Sequence, residues 1–415
     1  MTRRGKLPWA VVVTVATSTL DSLGGSVVSL AMIWLLTGIT RSAGQLGLFF
    51  MIVELPYLLL LVPAGVWADR ANRRRLALFM LALRIVATLV LAWLAHLHHV
   101  AWYLIAAAVV AQESMTAVLQ PAYSAWLFGL TPAEDFAALN GWQQAGTHVA
   151  TLLGPTLGGV LVGLAGIPGA IAAGAASGLV RWLGIGLNRR PERRTAAAEQ
   201  TRSQTHGFLV GWQFLRRNPA VLGMVLFFAA TNGLNDVEAV LVPLLARLVL
   251  HLAAWQFGLL STAFGAGGLL GAWAGVRVDG RSRSRLPWAF GAMAVFGLGI
   301  ILMGLAMDGW WLGLCYFVLG ITFALTEVVT GTLWQRLVPD EVRGRVMSTM
   351  GTLARTANPL GYVAAGWLGA VLGIRQGLWV GGGAIFVVTL AMMLSRGVRT
   401  LEGSSQASED AAIST

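Results

Sequence analysis

The sequence is poor in cysteine, lysine and charge, and each shortage excludes a class of protein. Cys315 is the single cysteine, so the chain can form no internal disulfide and no cysteine-based metal cluster. Lys6 is the single lysine, whereas a P-loop ATPase needs a lysine inside a glycine-rich turn to reach the phosphates. The residues also supply no nucleophile, metal or cofactor constellation for a membrane enzyme. We therefore predict a non-enzyme with no metal and no cofactor.

The sequence consists mainly of apolar residues. Charged residues make up 11% of the 415 positions and hydrophobic residues 56%, and the mean hydropathy is +0.71. One or two soluble cores cannot bury that many apolar residues. Each apolar run is long enough for the roughly 20 residues that a helix needs to cross a bilayer. The sequence therefore predicts twelve transmembrane helices, at 8-36, 43-67, 76-96, 101-127, 139-163, 166-187, 219-246, 255-276, 287-306, 309-334, 345-373 and 375-396.

The placement of arginine predicts the orientation in the membrane, because cationic loops stay cytoplasmic. With the amino terminus inside, twenty-four arginine and lysine residues, Arg181 among them, fall in cytoplasmic segments, and only Arg41, Arg247 and Arg375 fall outside. Orientation and contact with the lipid bilayer account for the net charge of +11, so we predict no nucleic-acid partner. We expect a multi-pass protein of the inner (plasma) membrane with both termini cytoplasmic.

Internal repeats predict the domain organisation. "GVWADRANRRRL" begins at Gly65 and "GVRVDGRSRSRL" at Gly275, an offset of 210 residues, each after the second helix of a six-helix set. "LTPAEDFAALNG" (130-141) and "LVPDEVRGRVMS" (337-348) occupy a second pair of matching connections. We predict an all-α integral membrane fold of two pseudo-symmetric six-helix halves, a recurrent transporter plan. The predicted domains are an N-terminal half (1-187), a cytoplasmic linker (188-218), a C-terminal half (219-396) and a disordered cytoplasmic tail (397-415).

The first repeat resembles the loop 2-3 signature of the major facilitator superfamily. Its matching residues are Gly65, Asp69, Arg70, Arg73 and Arg74, with Asn72 where a glycine is usual. The resemblance implies that Asp69 and Arg73 latch the two halves, the carboxylate facing the amino end of the eleventh helix. The alternative is that the arginines only orient the helix hairpin, which we expect for Arg74 and Arg75.

A second signature lies in the fifth helix and resembles that of exporters and antiporters in the same superfamily. Its residues are Gly141, Gly154, Pro155, Gly158 and Gly159, with Ala150 in place of a glycine. Small residues in membrane helices also serve plain close packing, so a gating role and a packing role both remain open. The stretches "LLTGITRSAGQLG", "QPAYSAWLFGLTPAEDFAALNG" and "GWQFLRRNPAV" are most similar to the macrolide-efflux and enterobactin-exporter branch.

Ionisable residues inside apolar segments are candidate functional residues, because each costs about 2.5 kcal/mol or more at the bilayer centre. Eight such residues are present: Asp21, Glu54, Arg84, Glu113, Asp236, Glu238, Glu327 and Arg355. We select Asp21, Glu113, Asp236 and Glu327 as candidates for binding substrate or protons. The alternative is a polar hydrogen bond between helices or, for Glu113, a position near the outer mouth. Glu238 lies about 200° around its helix from Asp236, so we expect no shared role. Glu327 and Arg355 form a possible ion pair, either structural or gating.

These observations predict a secondary active exporter that works by alternating access. Since the chain has no ATP site, the energy would come from an ion gradient or from a separate subunit. The buried acids favour a proton gradient and predict a proton-coupled antiporter. The expected substrate is an amphipathic small molecule such as a macrolide or a lipophilic cation, because the candidate residues are mainly acidic. The alternative is a siderophore exporter or a lysophospholipid flippase of the same fold, which would favour basic groups. We expect a monomer whose other partners are protons and lipid.

Overall fold

The computed structural model describes residues 8–97, 100–188, 204–281, 286–339 and 342–394, and it builds these ranges from helices joined by short turns. The α-helices of the described residues are α1 (Trp9–Ile39), α2 (Ala43–Arg70), α3 (Arg73–His96), α4 (Trp102–Leu130), α5 (Phe136–Leu187), α6 (Gln204–Arg217), α7 (Pro219–Leu244), α8 (Ala254–Arg281), α9 (Leu286–Gly304), α10 (Gly309–Leu337), α11 (Arg343–Thr356), α12 (Asn358–Val371) and α13 (Ile374–Leu394). A 3₁₀ turn (Ala133–Asp135) precedes α5, and a π-helical turn (Leu245–Val249) follows α7.

Ten helices within the described ranges are long and apolar enough to cross a membrane. One of them, α5, contains two spans. Gly166 has φ 70° and ψ 174°, a left-handed conformation that breaks the helical path and suits only glycine. The break lies at the boundary predicted between the fifth and sixth spans.

The eleventh span is broken rather than continuous. The sequence predicts one segment over 345-373, whereas the structure has α11 and α12 separated at Ala357. Pro359 explains the break, because proline has no N–H to donate to the preceding turn and its ring collides with that turn. Nine of the ten helices count as one span each, α5 counts as two, and α11 with α12 counts as one, so the all-helical twelve-span architecture is confirmed.

The chain forms two compact units. The first comprises Met1–Arg41, Ile52–Gln204 and Leu252–Thr262, and the second comprises Ser42–Met51, Thr205–His251 and Ala263–Thr415. The buried core of the first unit is built from α1, α2, α3, α4 and α5 and includes Val11, Leu81, Trp126 and Ile185. The predicted domain boundaries stay a prediction, and the predicted tail lies outside the described residues.

The linker contains a helix that the sequence analysis did not predict. Residues 204–217 of the predicted linker 188-218 form α6. Leu215 is fully buried, and a Cβ atom at Gly211 would lie 2.8 Å from the carbonyl oxygen of Arg345 in α11. The helix therefore packs through its small residue against α11, which belongs to the same unit.

The internal repeat extends to the backbone. Arg41 and His251 have φ values of 46° and 51° and are the non-glycine residues with positive φ in the described part of the chain. They are 210 residues apart, the offset of the loop repeats, and each lies in the connection before the second helix of its half. Positive φ is uncommon outside glycine. The two halves thus repeat the same unusual turn.

Candidate functional site

An ion cluster lies inside the first unit, centred on Asp21 of α1. The side chain of Asp21 is 3% exposed, and each of its carboxylate oxygens binds a different arginine. Arg84 of α3 donates from Nη2 to Oδ1, and Arg181 of α5 donates from Nη1 to Oδ2 over 2.8 Å. A buried charge is tolerated only when it is paired and hydrogen-bonded, and two charge-assisted bonds meet that requirement here.

Arg181 is the residue of this cluster that the sequence analysis missed. The arginine distribution predicts a cytoplasmic cation here, whereas Arg181 lies inside α5 and is only 3% exposed. Six residues separate it from the end of the helix at Leu187, about 9 Å at the rise of an α-helix. The available signal was its position within the predicted span 166-187.

An aromatic ring completes the cluster. The Arg181 guanidinium carbon lies 4.1 Å from the centre of the Tyr123 ring in α4, a cation–π contact. The Tyr123 hydroxyl donates to the Thr14 carbonyl in α1 over 3.2 Å. Asn188, just after α5, donates from Nδ2 to the Thr14 hydroxyl over 3.2 Å. Arg181 is thus tied to both α1 and α4.

Small residues allow these helices to approach one another. A Cβ atom at Gly178 would lie 3.4 Å from both Asp21 Oδ1 and Arg84 Nη2. A Cβ atom at Gly174 would lie 2.9 Å from the Gly24 carbonyl oxygen. The glycines of "GAASGLVR" therefore bring α5 close enough to α1 for Arg181 to reach the carboxylate.

Glu113 and Glu54 adjoin the cluster. Glu113 of α4 lies within electrostatic range of Arg84 and of Glu54 in α2, and both acids are half-buried. Thr88, one turn after Arg84, donates to Gln112 Oε1 over 3.2 Å and so fixes α3 against α4 at this level. The structure therefore brings two of the predicted site residues, Asp21 and Glu113, together around one arginine.

The two acids of α7, Asp236 and Glu238, make different contacts. Asp236 is 7% exposed, and a Cβ atom at Gly361 of α12 would lie 2.5 Å from its Oδ2. Glu238 instead accepts a hydrogen bond from the Tyr316 hydroxyl of α10. The two acids have different neighbours, as their angular separation predicts, and the Glu238 partner was not predicted.

Glu327 of α10 and Arg355 of α11 are both exposed. Arg355 occupies the last turn of α11, next to the break at Ala357. Their pairing stays a prediction, as does a role of Glu327 in binding protons or substrate.

The glycines of the fifth-helix signature lie at close helix contacts. A Cβ atom at Gly154 would lie 2.9 Å from the Ser26 Oγ, and one at Gly158 would lie 3.1 Å from the Val27 Cα, both in α1. On the neighbouring face, a Cβ atom at Gly159 would lie 2.6 Å from the Trp255 Cα, in the part of α8 that belongs to this unit. Three signature glycines thus serve close packing against two helices.

Pro155 takes part in the same contact, whereas Gly141 does not. A Cβ atom at Gly258 of α8 would lie 2.5 Å from the Pro155 carbonyl oxygen. Thr156 donates to the Gly258 carbonyl over 3.1 Å. Among the described residues, no atom beyond the backbone of its own helix and its two chain neighbours lies within 4 Å of the place a Cβ at Gly141 would take. Its role in the signature stays a prediction.

Comparison with known families identifies the superfamily. The model described as Major Facilitator Superfamily matches residues 14–361. The chain belongs to this superfamily. The macrolide efflux protein A of Streptococcus pyogenes is 19% identical over 91% of this chain and 93% of its own length. The multidrug efflux pump Tap of Mycolicibacterium fortuitum is 25% identical, over 85% of this chain and 87% of its own.

A third superfamily relative is the enterobactin exporter EntS of Citrobacter koseri, 27% identical over 65% of each chain. These names match the branch that the sequence motifs resemble, so that resemblance is confirmed. Among solved structures, a bacterial homologue of the iron transporter ferroportin has a TM-score of 0.72 at 16% identity and covers 94% of this chain and 98% of its own. The nucleoside transporter NupG has a TM-score of 0.70 at 11% identity over 93% and 98%. At such identities the structures support the superfamily fold alone.

The superfamily loop 2-3 signature lies at the junction of α2 and α3. Gly65 is buried, Arg70 is exposed and Arg73 is half-buried; the side chain of Asp69 lies outside the described ones. Asn72, the departure from the usual glycine, is the N-cap of α3, and its Oδ1 accepts from the Arg75 N–H over 3.0 Å. The latch role of Asp69 and Arg73 stays a prediction.

Arg74 has a contact that the sequence analysis did not identify. Its Nε and Nη2 donate to the carbonyl oxygens of Ile185 and Gly186 over 3.2 and 2.6 Å. These carbonyls belong to the last turn of α5, where a cation stabilises the negative end of the helix dipole. Arg74 therefore fixes the start of α3 to the end of α5, in keeping with the orienting role expected of it.

Proposed function

We propose that this superfamily member is a secondary active exporter of amphipathic small molecules, driven by proton antiport through alternating access. The observation that carries the proposal is the set of acids inside membrane-spanning helices, Asp21, Glu113 and Asp236, of which two share a cluster with Arg84. Acids at such depth are costly and are found where protons or substrates pass. Export is supported by the relatives, which are named as macrolide, multidrug and enterobactin exporters.

The remaining parts of the proposal follow the arginine distribution and the family plan. We place the protein in the plasma membrane with both termini cytoplasmic, acting as a monomer. Protons and a small molecule are its transported partners, and the proton gradient takes the place of a cofactor. The predicted latch at Asp69 and the pair of Glu327 with Arg355 belong to this mechanism as gating elements.

A second candidate is export of an anionic compound such as a siderophore, or flipping of a lysophospholipid. The observation in its favour is the buried cation Arg181. The cationic or neutral substrate is predicted from acidic candidate residues, and Arg181 is not one of them. An enterobactin exporter among the relatives points the same way. The mainly acidic set of buried residues still favours the cationic or neutral substrate.

The test is ethidium efflux from energised cells, with wild type, Glu113→Gln and Asp236→Asn compared at equal amounts of inserted protein. We expect wild type to export the dye, a protonophore to stop export, and each variant to lose most of it. Ser114→Ala, next to Glu113 but with its hydroxyl bonded to its own helix, is the matched control and should export normally. If well-inserted wild type moves no cation but does move an anionic siderophore or a lysophospholipid, the second candidate replaces the first.

A further inference from the structure

The two arginines that bind Asp21 are held in different ways. Arg181 is 4% exposed along its side chain and lies over the Tyr123 ring, whose hydroxyl is bonded to α1. Arg84 is more exposed, at 14%. The Arg181 side of the cluster is therefore fixed by neighbours on two helices, whereas the Arg84 side has more room to move.

Arg84 also has a second acid available to it. The charges among the described residues that act on Glu113 are those of Arg84 and Glu54. The bond between Thr88 and Gln112 sets the register of α3 against α4. The Cα of Arg84 then lies one helical turn, about 6 Å, from the level of Gln112. That offset is within the reach of an arginine side chain, and the charge of Arg84 acts on Glu113 across it.

The superfamily fold does not require this cluster for packing. In the C-terminal half, α9 and α13 are the counterparts of α3 and of the second part of α5. The only charged residue in these two helices is Arg375, in the first turn of α13. They pack through glycines instead, because a Cβ atom at Gly382 would lie 2.6 Å from the Gly297 carbonyl oxygen. Since one half closes the same interface with glycine, the charges in the other half have a further role.

We propose that Arg84 is a mobile counter-ion that alternates between Asp21 and Glu113 as Glu113 loses and gains a proton, while Arg181 holds Asp21 throughout. Ionised Glu113 competes with Asp21 for the Arg84 guanidinium. When Glu113 takes a proton from water on one side of the membrane, it becomes a neutral acid and Arg84 returns to Asp21. Releasing that proton to the other side reverses the exchange. Arg84 itself keeps its charge, since a guanidinium does not deprotonate in proteins.

The inference rests on the proposed proton coupling and adds a positioning residue to it. Proton binding at Glu113 would change which helix α3 is bound to, α1 or α4. Other charged and titratable groups near the exchange are Glu54 on α2, beside Glu113, and Arg181 and Tyr123, beside Asp21. Arg84 would thus link proton binding to the packing of α1.

The test measures the protonation of Glu113 directly, without transport. Infrared difference spectra of the full chain in lipid vesicles follow the carboxylic acid C=O band as pH is varied, and Glu113→Gln assigns the band. We expect Arg84→Gln to move the titration midpoint by one pH unit or more. The matched control is Arg181→Gln, which removes an equal charge from the other side of Asp21 and should move it by less than half as much. Equal midpoints in wild type and Arg84→Gln would overturn the proposal.

A second experiment tests whether Asp21 and Glu113 share Arg84, by removing the Asp21 carboxylate. Asp21→Asn releases Arg84 to Glu113, so it should move the Glu113 midpoint in the wild-type background and leave it unmoved in Arg84→Gln. Should Asp21→Asn fail to fold, the double variant Asp21→Asn/Arg181→Gln keeps the net charge and serves in its place. A Glu113 midpoint that does not respond to Asp21 shows that Arg84 is not shared. The measurement is independent of the proposed function: ethidium export that is blocked by a protonophore, with an unchanged midpoint in Arg84→Gln, refutes only the Arg84 exchange.

Discussion

Removing the carboxylate of the ion cluster should cost far more stability than removing one of its arginines. At a pH at which Glu113 is protonated, Asp21→Asn leaves Arg84 and Arg181 facing each other with no anion between them, whereas Arg84→Gln leaves Asp21 paired with Arg181. Breaking a buried ion pair by deleting one partner costs about 3–5 kcal/mol. We therefore expect a loss of that size for Asp21→Asn and a clearly smaller one for Arg84→Gln.

The geometry gives the size of the difference. The two guanidinium groups are bound to the two oxygens of one carboxylate, which sets their centres roughly 7 Å apart, and at an effective dielectric of about 20 their repulsion is about 2 kcal/mol. Arg84→Gln loses one charge-assisted hydrogen bond, about 1.5–3 kcal/mol, part of which the glutamine amide recovers. The free energy of unfolding should therefore fall by about 2 kcal/mol more in Asp21→Asn.

Unfolding of the purified protein in increasing dodecyl sulfate, followed by tryptophan fluorescence, measures both losses. The double variant Asp21→Asn/Arg84→Gln supplies a sharper check, because it leaves a single arginine and removes the repulsion. It should be more stable than Asp21→Asn alone, a non-additivity expected of residues in one network. If Asp21→Asn is as stable as Arg84→Gln, or the double variant is the least stable of the three, the account of the cluster is wrong.

Three further predictions concern the N-cap of α3, the packing of α5 against α1, and the signature between α2 and α3. Asn72→Ala should lower the free energy of unfolding by about 1 kcal/mol and Asn72→Gly by only a few tenths, since glycine is tolerated at an N-cap; equal losses in the same unfolding assay would contradict the cap. Gly158→Leu should cost about 1–3 kcal/mol through overpacking against α1, whereas Gly141→Leu, with open space around it, should unfold like wild type. Asp69→Asn should reduce export at equal membrane insertion, and unchanged export would rule out the latch.

The sequence predicts the fold well because each span is defined by local properties. Length and apolarity identify a helix that can cross a bilayer, although little beyond Pro168 marks the turn at Gly166, where the backbone adopts positive φ. The break in the eleventh span also has a local cause, Pro359, but a proline inside an apolar run does not reveal whether the helix bends or stops. The helix α6 is harder still, because its burial depends on contact with α11, which is distant in the sequence.

The candidate site is less predictable, because it depends on which helix faces which. Asp21 and Glu113 are conspicuous as acids in apolar segments, yet their shared partner Arg84 lies on a third helix. Depth counted along single helices does not give that partner, since register between helices is set by contacts such as Thr88 with Gln112. Arg181 was misplaced for a related reason. Near the end of a predicted span, only tertiary packing distinguishes a loop cation from a buried one.

The internal repeat separates what the architecture requires from what is particular to this chain. A Cβ atom added at Gly47 in α2 would lie 2.9 Å from the Gly366 Cα in α12, and one added at Gly258 in α8 would lie 2.9 Å from the Thr156 Cα in α5. Each of these contacts lies within one unit. Thr156 and Gly366 are 210 residues apart, the offset of the repeated loops. Such paired contacts follow from steric demands common to both halves. The Asp21 cluster has no such counterpart, because α9 contains no charged residue. The steric demands common to both halves therefore do not account for its charges.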